Sequence, residues 1–364
     1  MKSKTAVIYF KMSKYAFAFI LFWGFSIIGC EGRCRTNEAI KSWEMYVKFI
    51  KTGNEEKARQ FWAEESQAYF NLESECEKNW LDHELTVVKS ECNNDLVKIQ
   101  LIAERDGKQK GFFTYMIKVK GEYFLQYPFL IFAQSWPIAS SQHFKIHSMF
   151  LPESKEVKVD KDVKFPDTTI LEEFLVKINK LTGIQFHGSI NYYYCQDRDE
   201  VAKLTGQREG LPRYTIGSCA ITMEKYSFAA IMDIATKGHV KPIDLLYYGL
   251  LGYSELERAR MEKGAIERAN YTTAKYFMES NGHPLLSLVS SSETKDNHER
   301  KANLWIIGGA LVDFLITEGG EDRFRKLYKS SRTELIFEDG ISTIYGTSLE
   351  TLEKRLKDKY RKQL

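Results

Sequence analysis

Apolar residues recur every three to four positions from Asn37 to Thr52, where Ile40, Trp43, Tyr46, Val47 and Ile50 share one face. That spacing predicts an amphipathic helix, and a second helix is expected around Glu55 to Trp62. The period then shortens. Leu85 to Val88, Leu96 to Ala103, Gly111 to Val119 and Tyr123 to Phe132 read as strands, with Asp106-Gly107 and Lys120-Gly121 as turns between them. Two helices followed by an antiparallel meander define a first α+β domain over residues 36–140.

A second pattern fills residues 141–364. A strand at Phe144 to Phe150 is followed by the polar stretch Glu153 to Asp167 and a helix at Thr168 to Leu181. Next come a strand at Ser189 to Cys195, a helix at Arg198 to Thr205, a turn from Gly206 to Pro212 and a strand near Tyr214 to Thr222. Beyond Tyr226 the spacing is helical almost throughout: 226–237, 243–260, 266–280, 300–318, 321–330, 334–344 and 348–362. The expected class is α+β, with a small sheet preceding a mainly helical body. The length suits two domains, each able to bury its own core.

The first thirty residues follow a different logic. Lys2, Lys4, Lys11 and Lys14 precede the apolar run Tyr15 to Ile28, which is shorter than the ~20 residues of a membrane span. A basic segment before a short apolar one is the order of an export signal, and Met12 would serve as a second start. The run ends in Ser26-Ile27-Ile28-Gly29-Cys30, which resembles the lipobox of bacterial lipoproteins. The resemblance implies a signal peptide of residues 1–29, lipid attachment at Cys30, and an exported chain anchored to a cell-envelope membrane. Removing residues 1–29 takes away four lysines and no acid, so the formal net charge of +3 becomes −1. Without a basic face, no nucleic-acid partner is expected.

Spending Cys30 on lipid leaves Cys34, Cys76, Cys92, Cys195 and Cys219. An oxidising compartment favours disulfides. Cys76 with Cys92 and Cys195 with Cys219 are the expected pairs, against the alternative of buried thiols.

Helices leading into a meander resemble nuclear-transport-factor-2-like domains, which enclose a small apolar pocket. The resemblance is one of pattern, and an ordinary two-layer domain with a filled core fits it too. A more extended likeness runs through the second domain. Ile190-Asn191-Tyr192-Tyr193-Tyr194-Cys195, then Glu200-Val201 and Leu204-Thr205-Gly206, come before the segment Pro242 to Tyr253. The tail carries Gly308-Gly309-Ala310-Leu311-Val312-Asp313-Phe314-Leu315, Gly320-Glu321-Asp322-Arg323-Phe324 and Tyr345-Gly346-Thr347-Ser348-Leu349-Glu350. In this order the segments resemble gluzincin-type zinc peptidases of the peptidase-MA-like, lipoprotein-associated kind. Such an enzyme needs His-Glu-x-x-His on one helix, with two imidazoles on the metal and the Glu activating water, and a Glu ligand from the following helix. An ungapped placement puts Ser227 at the first His, Phe228 at the Glu, Ile231 at the second His and Tyr248 at the third ligand. None of these supplies a zinc site or a general base, so the expectation is no catalytic residue, no metal and no cofactor.

Other histidines offer no substitute. His83-Glu84 begins like the motif, but Val87 stands where the second His belongs. His143 and His147 fall on a strand pattern, and His239, His283 and His298 lie in expected loops. There is no Gly-x-Ser-x-Gly, phosphate-binding loop or dinucleotide fingerprint. Gly308-Gly309 lies inside a helical pattern, where close helix packing is the expected use. The functional expectation is a lipid-anchored, non-catalytic peptidase-like protein that binds or scaffolds a protein or glycan of the envelope. Two alternatives stand beside it: a hydrolase or zinc peptidase with an unrecognised site, and a carrier of a small apolar ligand in an enclosed cavity of the first domain.

Overall fold

The computed structural model describes residues 35–70, 83–149, 166–207, 212–261, 264–279, 284–290 and 298–362. The class is α+β. The chain forms two compact units, one up to Pro128 and one from Phe129 onward.

In the first unit, helix α1 (Thr36–Lys51) buries Ala39, Trp43, Tyr46 and Ile50. Short helices α2 (Glu55–Arg59) and α3 (Glu64–Gln67) follow, and Asn54 caps α2 by accepting from the Lys57 N–H. The sheet is a meander of β1 (Glu84–Asn93), β2 (Leu96–Arg105), β3 (Lys108–Val119) and β4 (Glu122–Gln126), in that spatial order. Period-two alternation sends Val97, Ile99, Leu101 and Ala103 of β2 into the core. Asp106-Gly107 and Lys120-Gly121 join strands as two-residue loops in which both residues have positive φ. That conformation matches the twist of the strands it connects. The segment joining α2 and α3 bonds to β4 through Leu125 N–H to Phe61 O and Ala63 N–H to Leu125 O. Buried Ser66 donates to Gln126 Oε1 at 2.7 Å, and the Trp62 and Tyr127 rings stack at 4.3 Å.

The strand expected over Tyr123 to Phe132 ends at Gln126, and Pro128–Phe132 turns into helix α4. Proline lacks the N–H that a strand ladder requires but fits the first turn of a helix.

The second unit holds a mixed sheet of β5 (Ile138–Ser140), β6 (Phe144–His147), β7 (Ile190–Tyr194), β8 (Arg213–Ile216) and β9 (Cys219–Thr222), ordered β5-β6-β7-β9-β8. Strands β6, β7 and β9 run parallel, while β5 and β8 are antiparallel edges. The single strand expected over 214–222 is therefore a hairpin, turned at Gly217 with φ 56°. In sequence, helix α5 (Thr168–Thr182) lies between β6 and β7, and α6 (Arg198–Thr205) between β7 and β8. The helical body comprises α7 (Phe228–Thr236), α8 (Asp244–Arg260), α9 (Ala265–Glu279), α10 (Pro284–Ser290), α11 (His298–Ser330), α12 (Glu334–Tyr345) and α13 (Leu349–Arg361).

Helix α11 joins the two helices expected at 300–318 and 321–330, with Gly320 breaking the helical geometry between them at φ 76°. Its stretch Arg300–Ser330 is long and apolar enough to cross a membrane by length and composition. Leu304, Ile307, Ala310, Leu311, Val312 and Leu315 nevertheless belong to the buried core. Helices α8 and α11 cross with glycine against backbone. A Cβ on Gly252 would lie 1.9 Å from the Trp305 carbonyl oxygen, and one on Gly249 would lie 2.7 Å from that of Gly308.

Candidate functional site

Helix α7 carries the segment placed on the zinc motif. Its sequence, Phe-Ala-Ala-Ile-Met-Asp-Ile-Ala-Thr, is apolar on nearly every side, and a helix of that kind is stable when enclosed. Every residue from Phe228 to Thr236 is buried except Asp233. The Phe228 ring stacks on Phe174 of α5, with centroids 4.0 Å apart and planes inclined by 7°. Ile231 is wholly buried in the same core, against which Tyr248 of α8 packs half-buried.

Ser227 is the N-cap residue of α7 and not part of its helical turns. It is fully buried, and its Oγ donates to Glu224 Oε2 at 2.6 Å. Its N–H donates to the Tyr192 hydroxyl at 2.7 Å, and that hydroxyl donates to the Glu224 carbonyl. Complete burial, with the Glu224 charge nearby, holds the Tyr192 phenol far above its ordinary pKa despite the Ser227 bond, so it acts as a neutral connector between strand and helix.

The polar residues around α7 bond to one another. Asp233 accepts from Thr215 Oγ1 at 2.9 Å and from the Tyr247 hydroxyl at 2.8 Å, which ties α7 to β8 and α8. Tyr247, one residue before Tyr248, thus hydrogen-bonds across to α7. Burial, reinforced by the Asp233 charge, raises the Tyr247 phenol well above the usual range. On β8, Arg213 pairs with Glu255 Oε1 at 2.5 Å and Glu224 Oε2 at 3.4 Å, and its guanidinium lies over the Trp305 ring. Arg258 bonds the second oxygen of Glu255 at 2.9 Å. Sequence spacing did not reveal Glu224, Asp233, Tyr247, Arg213 or Glu255 as a group, because their partners come from separate elements.

A hydroxyl already donating to a carboxylate, a stacked phenyl ring, a core isoleucine and a half-buried phenol do not form a zinc donor set. The residues at these positions therefore do not fit the metal that the peptidase likeness implies. Among the described residues, no three His, Cys, Asp or Glu side chains gather in a geometry suited to a metal ion. His83 immediately precedes β1, so Glu84 and Val87 lie on a strand and not on a metal-binding helix face. His143 Nδ1 bonds Glu172 Oε2 at 2.8 Å, while His147 stacks on Tyr193 and bonds Asn191. His239 is exposed. His283 lies outside the described residues.

The expected Cys195–Cys219 disulfide is corrected: both residues are buried thiols. Strands β7 and β9 are parallel with Asn191 opposite Cys219, which places Cys195 four residues further along. At about 3.3 Å per strand residue that offset is roughly 13 Å, about twice what a disulfide spans. Burial, with the charge of Glu200 nearby, raises the Cys195 thiol far above its ordinary range. Cys92 is disulfide-bonded. Cys76, its expected partner, lies outside the described residues, as do Cys30, Cys34 and the whole of residues 1–29.

In the first unit, Trp43 and Val47 of α1 face Leu85 and Val87 of β1 across a groove of about 380 Å³, with Glu44 and Lys51 also in its lining. It is open to solvent, whereas a ligand carrier of the kind expected requires an enclosed cavity. Comparison with family models, curated proteins and solved structures found no match to this chain.

Proposed function

We propose that the chain is a lipid-anchored protein of a bacterial cell envelope whose second unit is a non-catalytic, metallopeptidase-like domain with a binding or scaffolding role. One observation carries the non-catalytic reading: Phe228, at the position of the catalytic glutamate, stacks on Phe174 inside a continuous apolar core. A general base must reach water and change its charge during turnover, and a buried phenyl ring does neither. Ile231 and Tyr248 extend the same apolar packing, so the region stabilises the fold. The motif order in the second unit supports the peptidase likeness, and Ser26-Ile27-Ile28-Gly29-Cys30 supports the anchor.

Incubating the full chain with a mixed peptide library, with and without added zinc, tests the absence of catalysis. No cleavage above background is expected in either case. Zinc-dependent cleavage that copurifies with the chain, and is unchanged in a Phe228→Leu variant, would assign catalysis to another site and overturn the proposal.

A further inference from the structure

The four-stranded sheet of the first unit has two unlike edges. Its β4 edge is closed, because Leu125 bonds the segment joining α2 and α3 through both its N–H and its carbonyl. At the other edge, β1 has only β2 beside it among the described strands. Such an edge presents a row of backbone donors and acceptors to a further strand. The open groove of about 380 Å³ lies along it, lined on the strand side by Leu85, Thr86 and Val87. Leu85 and Val87 stand opposite buried Ala103 and Leu101, which puts both on the α1 face, half-buried. Glu44 and Lys51 on the α1 wall are one acid and one base, so they leave the groove without net charge. A bulge at Val88, 51% exposed, then ends the regular run of β1. On the outer face Glu84 stands opposite Glu104, and among the described residues no ion pair neutralises Glu84.

We propose that the β1 edge pairs with the β1 edge of a second copy, antiparallel about a two-fold axis at Thr86. Leu85 then lies opposite the second copy's Val87, and Val87 opposite its Leu85. Residues opposite one another in a ladder share a face, so these four side chains meet on the α1 side and close the groove beside Trp43 and Val47. Glu84 meets the bulge, where Val88 and Lys89 of the second copy share one position. Lys89 stands opposite Gln100, on the outer face with Glu84, so each copy receives the cation that its Glu84 and Glu104 lack. Its present partner is Glu91, in an exposed ion pair that contributes little and is readily exchanged. A slip of one residue would set Val87 against the second copy's Thr86, which faces the other way. The same short segment therefore complements itself, as a two-fold interface requires and an unrelated strand does not. The paired stretch is smaller than the ~800 Å² per partner of a stable interface, so the dimer is transient and is read by chemical capture.

The test uses the full chain with Thr86→Cys, treated with a short bismaleimide crosslinker. Thr86 is exposed, so the substitution leaves the fold intact. The product to be read by mass spectrometry is a peptide linked through position 86 of both copies. That product is expected, with none through position 110 in a Lys110→Cys chain, since exposed Lys110 lies on β3, two strands in from the edge. Adding Lys89→Glu to the Thr86→Cys chain should lower the yield by about fivefold, and adding Glu84→Lys as well should restore it, because opposite charges across a ladder attract and like charges repel. Absence of the position-86 product at the highest soluble concentration would overturn the dimer and leave the edge to a different strand. Equal yields at positions 86 and 110 would show unspecific association and overturn it too. A yield indifferent to both charge reversals would overturn the register. The pairing needs neither the lipid nor the peptidase likeness, so its failure would leave the proposed function standing.

Discussion

Phe228 joins the functional argument to the packing argument at a single side chain. Its stack on Phe174 joins α7 to α5, and both rings are almost fully enclosed. Phe228→Ala should destabilise the second unit by about 3–5 kcal/mol through lost burial and the cavity left behind. In a double-mutant cycle with Phe174→Ala, the coupling should be about 0.5–1.5 kcal/mol, read from urea unfolding midpoints. The cysteines give a second test. Alkylation of the unfolded, unreduced chain should label Cys195 and Cys219, and Cys92 only after reduction; labelling of Cys195 and Cys219 that requires reductant would restore the disulfide rejected above. His147 gives a third. Burial lowers its pKa, outweighing the hydrogen bond to Asn191 Oδ1, so the unfolded chain binds the proton more readily. Its contribution to stability is complete above the unfolded value of about 6.5 and is lost as pH falls through the lower folded value. His147→Gln should flatten that part of the pH profile, measured as the urea midpoint between about pH 7.5 and pH 5.

At the scale of elements, α1 and α8 were legible from apolar periodicity alone, and other helices also carried local end signals. Asp167 accepts from the Thr169 N–H, Asp197 from the Glu200 N–H and Ser348 from the Thr351 N–H, while Gly183, Gly206 and Gly346 close α5, α6 and α12 in left-handed conformation. These are contacts within a few residues, so the sequence displays them directly. The β8–β9 hairpin was missed although Gly217-Ser218 stands between its strands as a two-residue turn pair, because the strands on either side are only four residues long. The error in pairing Cys195 with Cys219 has a related origin: proximity in sequence does not reveal a parallel register. At the candidate site, the residue types of Ser227, Phe228, Ile231 and Tyr248 could be read from the sequence alone. The Asp233–Tyr247 and Arg213–Glu255 contacts required the tertiary arrangement. The Gly308-Gly309 pair was expected to serve close helix packing, and at the α8–α11 crossing it does so. Gly249 has the same packing role, which explains this glycine without reference to a lost active site. Gly252→Ala should cost about 1–3 kcal/mol or more through overpacking against the Trp305 carbonyl, measured by thermal or urea unfolding.

For the whole molecule, the proposed function would join an N-terminal lipid to a second unit in which the residues that the peptidase likeness sets at a metal centre are packed in or against the core. The anchor is tested at Cys30: Cys30→Ser should abolish incorporation of labelled lipid and leave an uncleaved or soluble product, and unchanged labelling would remove the anchor. The non-catalytic reading of the second unit is tested by the zinc content of the purified full chain after dialysis against zinc and then buffer, taken together with its unfolding midpoint with and without a chelator. Far less than one zinc per chain and an unchanged midpoint are expected. One tightly held zinc per chain, with a midpoint that falls on chelation, would contradict it.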